Sequence, residues 1–303
     1  MTDFRKPNLF LVGAAKSGTT AMSDYLDQHP DIHMGPKEMH YFTPDLLPET
    51  SPALVWENYI TPYKNIGDEK IIGDASVFYL YSNVAAGLIH EFNPDARILI
   101  HLRNPLDVME SHHSQVMFEG GEPIKDFEEA VRAEPERLQG RNLPENFAWK
   151  KTLCYRDFVS FSEQVKRFQD VFPREQIRVN IFDDFKKDTM GEYRRTLEFL
   201  GTDADFEPNI EVVNANKVMR SETAMKLFVR NPPPWLSIPA KALFPLSLRN
   251  KIKSKIKRAN TKFTPRPPVR PELRQELARD LMPDVERLSE LLDRDLTHWC
   301  RVG

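Results

Sequence analysis

The stretch that decides the fold of this 303-residue chain is Asn8-Leu9-Phe10-Leu11-Val12, followed by Gly13-Ala14-Ala15-Lys16-Ser17-Gly18-Thr19-Thr20. The apolar run predicts a buried strand, and a helical pattern follows it over about residues 18–28. Two glycines between a strand and a helix permit a tight turn and a close approach of the backbone to an anion. The N–H groups that open the helix point toward such an anion. The segment therefore predicts a phosphate-binding loop.

The lysine of this loop is not where a nucleoside triphosphatase needs it. The Walker A loop reads G-x-x-x-x-G-K-[ST], with its lysine directly after the second glycine. Thr19 occupies that position here, and Lys16 comes three residues after Gly13 instead. An incidental turn is disfavoured because two glycines, a lysine and three hydroxyl side chains coincide after a strand. We therefore expect anion binding by this loop, with chemistry other than triphosphate hydrolysis.

Strand-like and helix-like segments alternate along the first two thirds of the chain. This alternation predicts a single α/β, P-loop-like domain with a central, mainly parallel sheet flanked by helices. Ligands of such sheets bind at the carboxyl ends of strands. The predicted strands are Leu9–Val12, Lys70–Gly73, Arg97–Leu102 and Gln176–Phe182, and the predicted helices are 18–28, 82–92, 105–118, 126–139, 154–170, 271–281 and 283–293.

Composition is that of an ordinary globular protein, with 40% hydrophobic and 29% charged residues. No apolar run is long enough to span a membrane, and the absence of a signal peptide predicts a cytoplasmic location. The two cysteines, Cys154 and Cys300, are not in a metal-ligand spacing.

Two further segments carry candidate chemistry. Arg103 follows the strand 97–102, and Ser111 lies about two turns along the next helix, which together suit a second phosphate. Alternatively, Arg103 is a helix-capping residue and Ser111 an ordinary surface serine. The segment Lys37-Glu38-Met39-His40-Tyr41-Phe42 places a carboxylate beside aromatic residues, where its pKa can rise to that of a base. The simpler reading there is a surface Lys–Glu pair before a buried Tyr–Phe pair.

Together these segments resemble the PAPS-dependent sulfotransferase family, in its bacterial and heparan-type carbohydrate branch. The family loop G-x-x-K-[ST]-G-T-[ST] is matched by residues 13–20, and its arginine with a serine eight residues later by Arg103 and Ser111. The heparan-type K/Q-E-x-H/Q-[FY]-F segment is matched by residues 37–42, after His29-Pro30. One departure is Ala75, which stands where that branch has a second catalytic lysine; Lys37 or a residue of the basic segment described below is a candidate substitute.

The resemblance implies a sulfotransferase that moves a sulfuryl group from 3′-phosphoadenosine 5′-phosphosulfate (PAPS) to a hydroxyl of a carbohydrate or small-metabolite acceptor, without a metal or a nucleic-acid partner. Lys16 and Glu38 would be catalytic, as charge stabiliser and general base, with His40 as the alternative base or a loop-orienting residue. The donor would be held by these groups: Lys16, Ser17, Gly18, Thr19, Thr20, Arg103, Ser111 and, near the C-terminus, Lys262 with Arg266 beside it. Two other functions stay open, a nucleotide-dependent small-molecule kinase and a non-catalytic protein that binds nucleotides or polyanions.

The span 223–271 contains no Asp or Glu but twelve Lys and Arg residues, which leaves a net charge of −15 for the rest of the chain. Proline clusters at 232–234 and 265–271 mark irregular backbone. We interpret it as a basic, Pro-rich insertion or lid within one domain, 1–303. Three roles stay open: a solvated insertion, a lid that completes the donor site, or a peripheral contact with an anionic membrane.

Overall fold

The structure, a computed structural model, describes residues 4–210, 217–219, 261–263 and 269–301. Its centre is a five-stranded sheet in the order β2-β3-β1-β4-β5, and every neighbouring pair of strands is parallel. The strands are β1 (Leu9–Gly13), β2 (Ile32–Met34), β3 (Ile71–Ala75), β4 (Arg97–Leu102) and β5 (Ile177–Ile181). The prediction of an α/β domain with a parallel central sheet is confirmed.

Helices cover both faces of this sheet, and two short strands, β6 (Lys217–Met219) and β7 (Thr261–Phe263), pair antiparallel outside it. The helices of the described residues are α1 (Thr19–Leu26), α2 (Trp56–Ile60), α3 (Ala85–Phe92), α4 (Pro105–Glu119), α5 (Phe127–Arg132), α6 (Glu134–Arg137), α7 (Tyr155–Phe158), α8 (Phe161–Gln169), α9 (Phe182–Lys187), α10 (Thr189–Leu200) and α11 (Pro271–Leu292). None of them, within these described ranges, combines the length and the apolar character needed to cross a membrane.

The alternation of side chains along β1 builds two separate cores. Phe10 and Val12 point to a core shared with α3, α4, α8 and α11. Leu9 and Leu11 point to the opposite face, where α1 and α10 pack. All four side chains are fully buried, as expected for the central strand of a parallel sheet. The loop after β1 therefore leaves the buried centre of the domain, at the carboxyl edge where ligands of such sheets bind.

Four predicted helices differ from those observed. The predicted helix 126–139 is two helices, α5 and α6, and the predicted helix 154–170 is also two, α7 and α8. The two predicted terminal helices are a single one, α11, with Pro283 inside it. A proline in a helix interior costs a hydrogen bond and crowds the preceding turn. Burial of Leu277, Leu281, Val285 and Leu288 along one face of α11 offsets that cost.

The predicted basic insertion at 223–271 lies outside the described residues, apart from 261–263 and 269–271. Its role as insertion, lid or membrane contact is therefore untested. Two short described strands, β6 just before this span and β7 within it, pair with each other, and β6 lies beside α4.

Candidate active site

The loop between β1 and α1 has the geometry of an anion cradle. Gly13 has a φ of 148°, and a Cβ there would lie 2.7 Å from both Leu80 Cβ and the Val77 carbonyl oxygen. Gly18 precedes α1 in the left-handed conformation, and no side chain in the described part of the chain caps this helix. The first N–H groups of α1 therefore have no partner within the helix and are available to an anion. Ser17 is fully buried, Thr19 is nearly so, and Thr20 is exposed.

Arg103 ties this loop to the end of β4. Its Nη1 donates to the Lys16 carbonyl oxygen at 3.3 Å, and its Nη2 pairs with Asp107 at 3.1 Å. The guanidinium also lies 4.7 Å from the centroid of the Phe182 ring, a favourable cation–π distance. Its Nε is buried and bonds to no described group. Arg103 is thus held in one position and keeps one buried donor that a bound anion can satisfy.

Lys16 reaches from the loop toward α4. Its Nζ is 3.5 Å from Gln115 Oε1, one turn beyond Ser111. Ser111 itself lies on the buried side of α4. Burial, with Lys16 nearby, lowers the pKa of His112 to about 3. His112 is therefore neutral near pH 7 and adds no charge beside the Lys16 ammonium.

Glu38 and His40 form a pair at the carboxyl end of β3. Glu38 N donates to the Ala75 carbonyl oxygen at 2.9 Å, which places the residue at the strand end. Glu38 Oε2 lies 2.8 Å from His40 Nε2 and accepts a further hydrogen bond from Val77 N at 3.3 Å. The glutamate side chain is 44% exposed, whereas that of the histidine is 8% exposed. Hydrogen bonds from the protein thus orient the Glu38 carboxylate, and the side chain is partly exposed to solvent.

Backbone strain marks the same three residues. Six described residues other than glycine have a positive φ, and three of them are Asn or Asp, which tolerate that conformation. The other three are Lys16 (66°), Glu38 (62°) and His40 (54°). Such residues cost about 1–3 kcal/mol each and persist where the surroundings hold them, commonly at functional sites. The three residues that the sequence nominated as catalytic thus share a strained backbone, and their catalytic roles stay a prediction.

The buried carboxylate of Asp74 is connected by hydrogen bonds to the strained segment that contains Glu38 and His40. Asp74, fully buried at the end of β3, accepts hydrogen bonds from Ser76 Oγ (2.7 Å), Tyr79 OH (2.8 Å) and Tyr59 OH (3.2 Å). Ser76 Oγ in turn accepts from His40 N at 3.1 Å. Burial raises the pKa of Asp74 from 3.8 to about 6, although the three hydroxyl donors oppose the rise.

This raised pKa predicts a pH-dependent stability. Asp74 binds a proton more tightly in the folded chain than in the unfolded one, so its contribution to stability is present near pH 4 and lost as the pH rises past 6. The loss amounts to about 3 kcal/mol. We expect Asp74→Asn, which stays uncharged, to gain that much relative to the wild type between pH 4 and pH 7, measured by urea unfolding. A stability difference that does not change with pH would contradict the assignment.

Lys37, a candidate to replace the missing second lysine, is bonded to α1 in this structure. Its Nζ donates to the Thr20 carbonyl oxygen at 3.1 Å and pairs with Asp24 on α1. Ala75 is buried at the strand end. Lys37 therefore fastens the Glu38 segment to α1, and its role as a second catalytic lysine stays a prediction.

Lys262 is described only through its backbone, which pairs with Val218 in the β6–β7 ladder. Since β6 lies beside α4, the ladder is on the side of the domain that carries Ser111. The role of Lys262 in donor binding stays a prediction, and Arg266 lies outside the described residues. In the described part of the chain, no group of three or more His, Cys, Asp or Glu side chains could hold a metal ion.

Sequence reasoning missed three residues of this site. Asp107 could have been found, because it is four residues after Arg103 and the two pair. Phe182 follows β5 and touches both Arg103 and the position of Gly18, and Trp149 packs against His40. No local pattern marks either aromatic residue, since each meets its partner only through the tertiary fold.

Known proteins share this architecture. The sequence model of the sulfotransferase domain family matches residues 6–228. The chain belongs to the sulfotransferase family. A crystal structure of a sulfotransferase from Alicyclobacillus acidocaldarius aligns with a TM-score of 0.72 and 30% identity, over 98% of this chain and 100% of that one. The resemblance to sulfotransferases that the three motifs predicted is therefore confirmed.

Two curated relatives match over shorter segments. Heparan sulfate glucosamine 3-O-sulfotransferase 6 of Homo sapiens is 29% identical over 113 residues, and the membrane-associated sulfotransferase kil1 of Dictyostelium discoideum is 30% identical over 103 residues. These alignments cover 37% and 33% of this sulfotransferase, but only 31% and 21% of the relatives.

Proposed function

We propose that this sulfotransferase transfers a sulfuryl group from PAPS to a hydroxyl group of a carbohydrate or small-metabolite acceptor. The observation that carries the proposal is the strained placement of Lys16 and Glu38 at the carboxyl ends of neighbouring strands, β1 and β3. A cation for the donor and an open carboxylate for the acceptor thereby lie at one edge of the sheet. A glycan acceptor is supported by the name of the human relative, which acts on heparan sulfate glucosamine.

The residues present fit a donor with two separate anionic ends. The uncapped start of α1 suits the 5′ end, in a loop that also offers Ser17, Thr19 and Thr20. Arg103, whose buried Nε bonds to no described group, and Ser111 suit the 3′-phosphate. PAPS, when bound, supplies the sulfuryl group and leaves as adenosine 3′,5′-bisphosphate (PAP).

Each catalytic residue has one task in this proposal. The Lys16 ammonium stabilises negative charge that develops as the bond to the leaving phosphate breaks. Glu38 accepts the proton of the acceptor hydroxyl. His40 orients Glu38. With Nε2–H donating to the carboxylate, the buried Nδ1, which bonds to none of the described residues, carries a lone pair instead of an unsatisfied N–H.

Binding of PAP tests the donor assignment directly. We expect isothermal titration calorimetry to show PAP binding by the wild type, and Arg103→Ala to weaken it about 10- to 100-fold, the effect of losing hydrogen bonds to a charged group. Arg174→Ala, an exposed arginine before β5 at the opposite edge of the sheet, is the matched control. Absence of PAP binding at high micromolar concentration would refute the proposal, and magnesium-dependent ATP binding would favour a kinase.

A further inference from the structure

An aromatic wall adjoins the Glu38–His40 pair, and the chemistry proposed above makes no use of it. The centroids of the Trp149 and His40 rings are 4.5 Å apart in an edge-to-face arrangement. The Phe78 ring stacks on His40 at 5.1 Å and lies 4.7 Å from Trp149. His40 Nε2 is 2.8 Å from Glu38 Oε2. The His40 ring therefore lies between the aromatic wall and the exposed carboxylate of Glu38.

Trp149 is not a core residue. It is only partly buried and belongs to neither of the two cores. Its indole N–H donates to none of the described residues. A tryptophan that is partly exposed next to His40, with a flat apolar face and an indole N–H that no described residue accepts, has the properties of a ligand-binding platform.

The backbone holds this platform in place. The Trp149 carbonyl oxygen accepts hydrogen bonds from Thr152 N (3.0 Å) and Thr152 Oγ1 (2.8 Å). The Thr152 carbonyl oxygen is in turn bonded to His112 Nε2 at 3.1 Å. Trp149 is therefore fixed to α4, the helix that carries Ser111, and a ring bound on it loses little energy to loop ordering.

The surroundings favour a sugar over a simple phenol. Lys150 and Lys151, which directly follow Trp149, line a cavity of about 300 Å³ together with Tyr81, Leu138 and Asp157. A single aromatic ring on Trp149 would leave this cavity, which charged and apolar side chains line together, unused. An acceptor with several hydroxyl-bearing rings could stack one ring on the indole and place the next one there.

We propose that Trp149 and Phe78 form the acceptor subsite, on which a pyranose ring stacks through its C–H face and presents a hydroxyl to Glu38. This inference rests on the proposed function and names its acceptor as a carbohydrate. Trp149 is then a residue that determines acceptor affinity and has no part in donor binding.

This subsite can be tested by transfer of label from PAPS to a panel of disaccharides that contain glucosamine, glucose or uronate. 4-Nitrophenol serves as the comparison acceptor. We expect Trp149→Ala to raise the KM of an accepted disaccharide about tenfold or more through loss of stacking, with a smaller effect on kcat and none on the PAP dissociation constant. Trp149→Phe should retain most of the affinity. In the presence of PAP, tryptophan fluorescence of the wild type should change when disaccharide is added, and that of Trp149→Phe should not.

Separate results would overturn the inference and the proposed function. An unchanged disaccharide KM in Trp149→Ala, or transfer to 4-nitrophenol with no binding of or transfer to any disaccharide, overturns the subsite while the sulfotransferase proposal stands. A wild-type protein that binds PAP and shows neither turnover nor a Trp149-dependent signal with the disaccharides also overturns the subsite. A wild-type protein that neither binds PAP nor transfers label refutes the function itself.

Discussion

Lys16→Ala is expected to lower kcat by at least about a hundredfold, the loss found when a preorganised charge-stabilising group is removed from a site. The backbone of the loop holds Lys16 in a left-handed conformation, with its carbonyl oxygen bonded to Arg103. The side chain therefore approaches the anion from a fixed direction. The variant keeps the loop glycines and the N–H groups at the start of α1. PAP should therefore still bind, although more weakly. The defect should appear mainly in kcat, measured by transfer of label from PAPS at saturating acceptor.

The matched control is Lys70→Ala, at the amino side of β3, where the lysine side chain is 69% exposed and pairs with Asp31. This variant loses the same charge at the opposite edge of the sheet and should keep wild-type kcat. Equal losses in both variants would indicate a general effect of charge. A Lys16→Ala variant with near-normal kcat would remove the lysine from the mechanism, whatever its effect on PAP binding.

The sequence predicted best those elements whose signal is local. β4 has the predicted bounds, Arg97–Leu102, because an apolar run that only His101 interrupts ends there, before an arginine and a helix that begins with a proline. β2 has only three residues and was not predicted, since so short a strand carries no periodic pattern. The single helix α11 was missed because a proline is a strong local break, and only tertiary burial shows that the helix passes through Pro283.

The same difference between local and non-local signals explains which parts of the candidate site were predicted. The anion loop and the pair Glu38 and His40 are contiguous motifs, so residue type and spacing sufficed to nominate them. Their support is non-local: Asp74 reaches His40 through Ser76, and Phe182 reaches Arg103 from the end of β5. Such contacts depend on which strands become neighbours in the sheet, and the order β2-β3-β1-β4-β5 is not written in any single segment.

Glu38→Gln is expected to lower kcat by about 10²- to 10⁴-fold, the usual contribution of a general base. Glutamine has nearly the same shape, and its amide oxygen can still accept hydrogen bonds from Val77 N and His40 Nε2, as the carboxylate does in the wild type. The strained backbone keeps its bond to the Ala75 carbonyl oxygen. What the variant lacks is a group that can take a proton from the acceptor hydroxyl. Donor binding, on the other side of the site, should be unchanged by calorimetry with PAP.

Glu49→Gln, an exposed glutamate in the segment that follows residues 37–42, is the matched control and should turn over like the wild type. His40→Gln separates base from orienting residue, because it leaves the carboxylate in place but removes the imidazole that positions it. We expect its kcat to lie between those of the wild type and Glu38→Gln. If Glu38→Gln kept near-normal turnover while His40→Gln lost it, the histidine would be the base and Glu38 the residue that orients it.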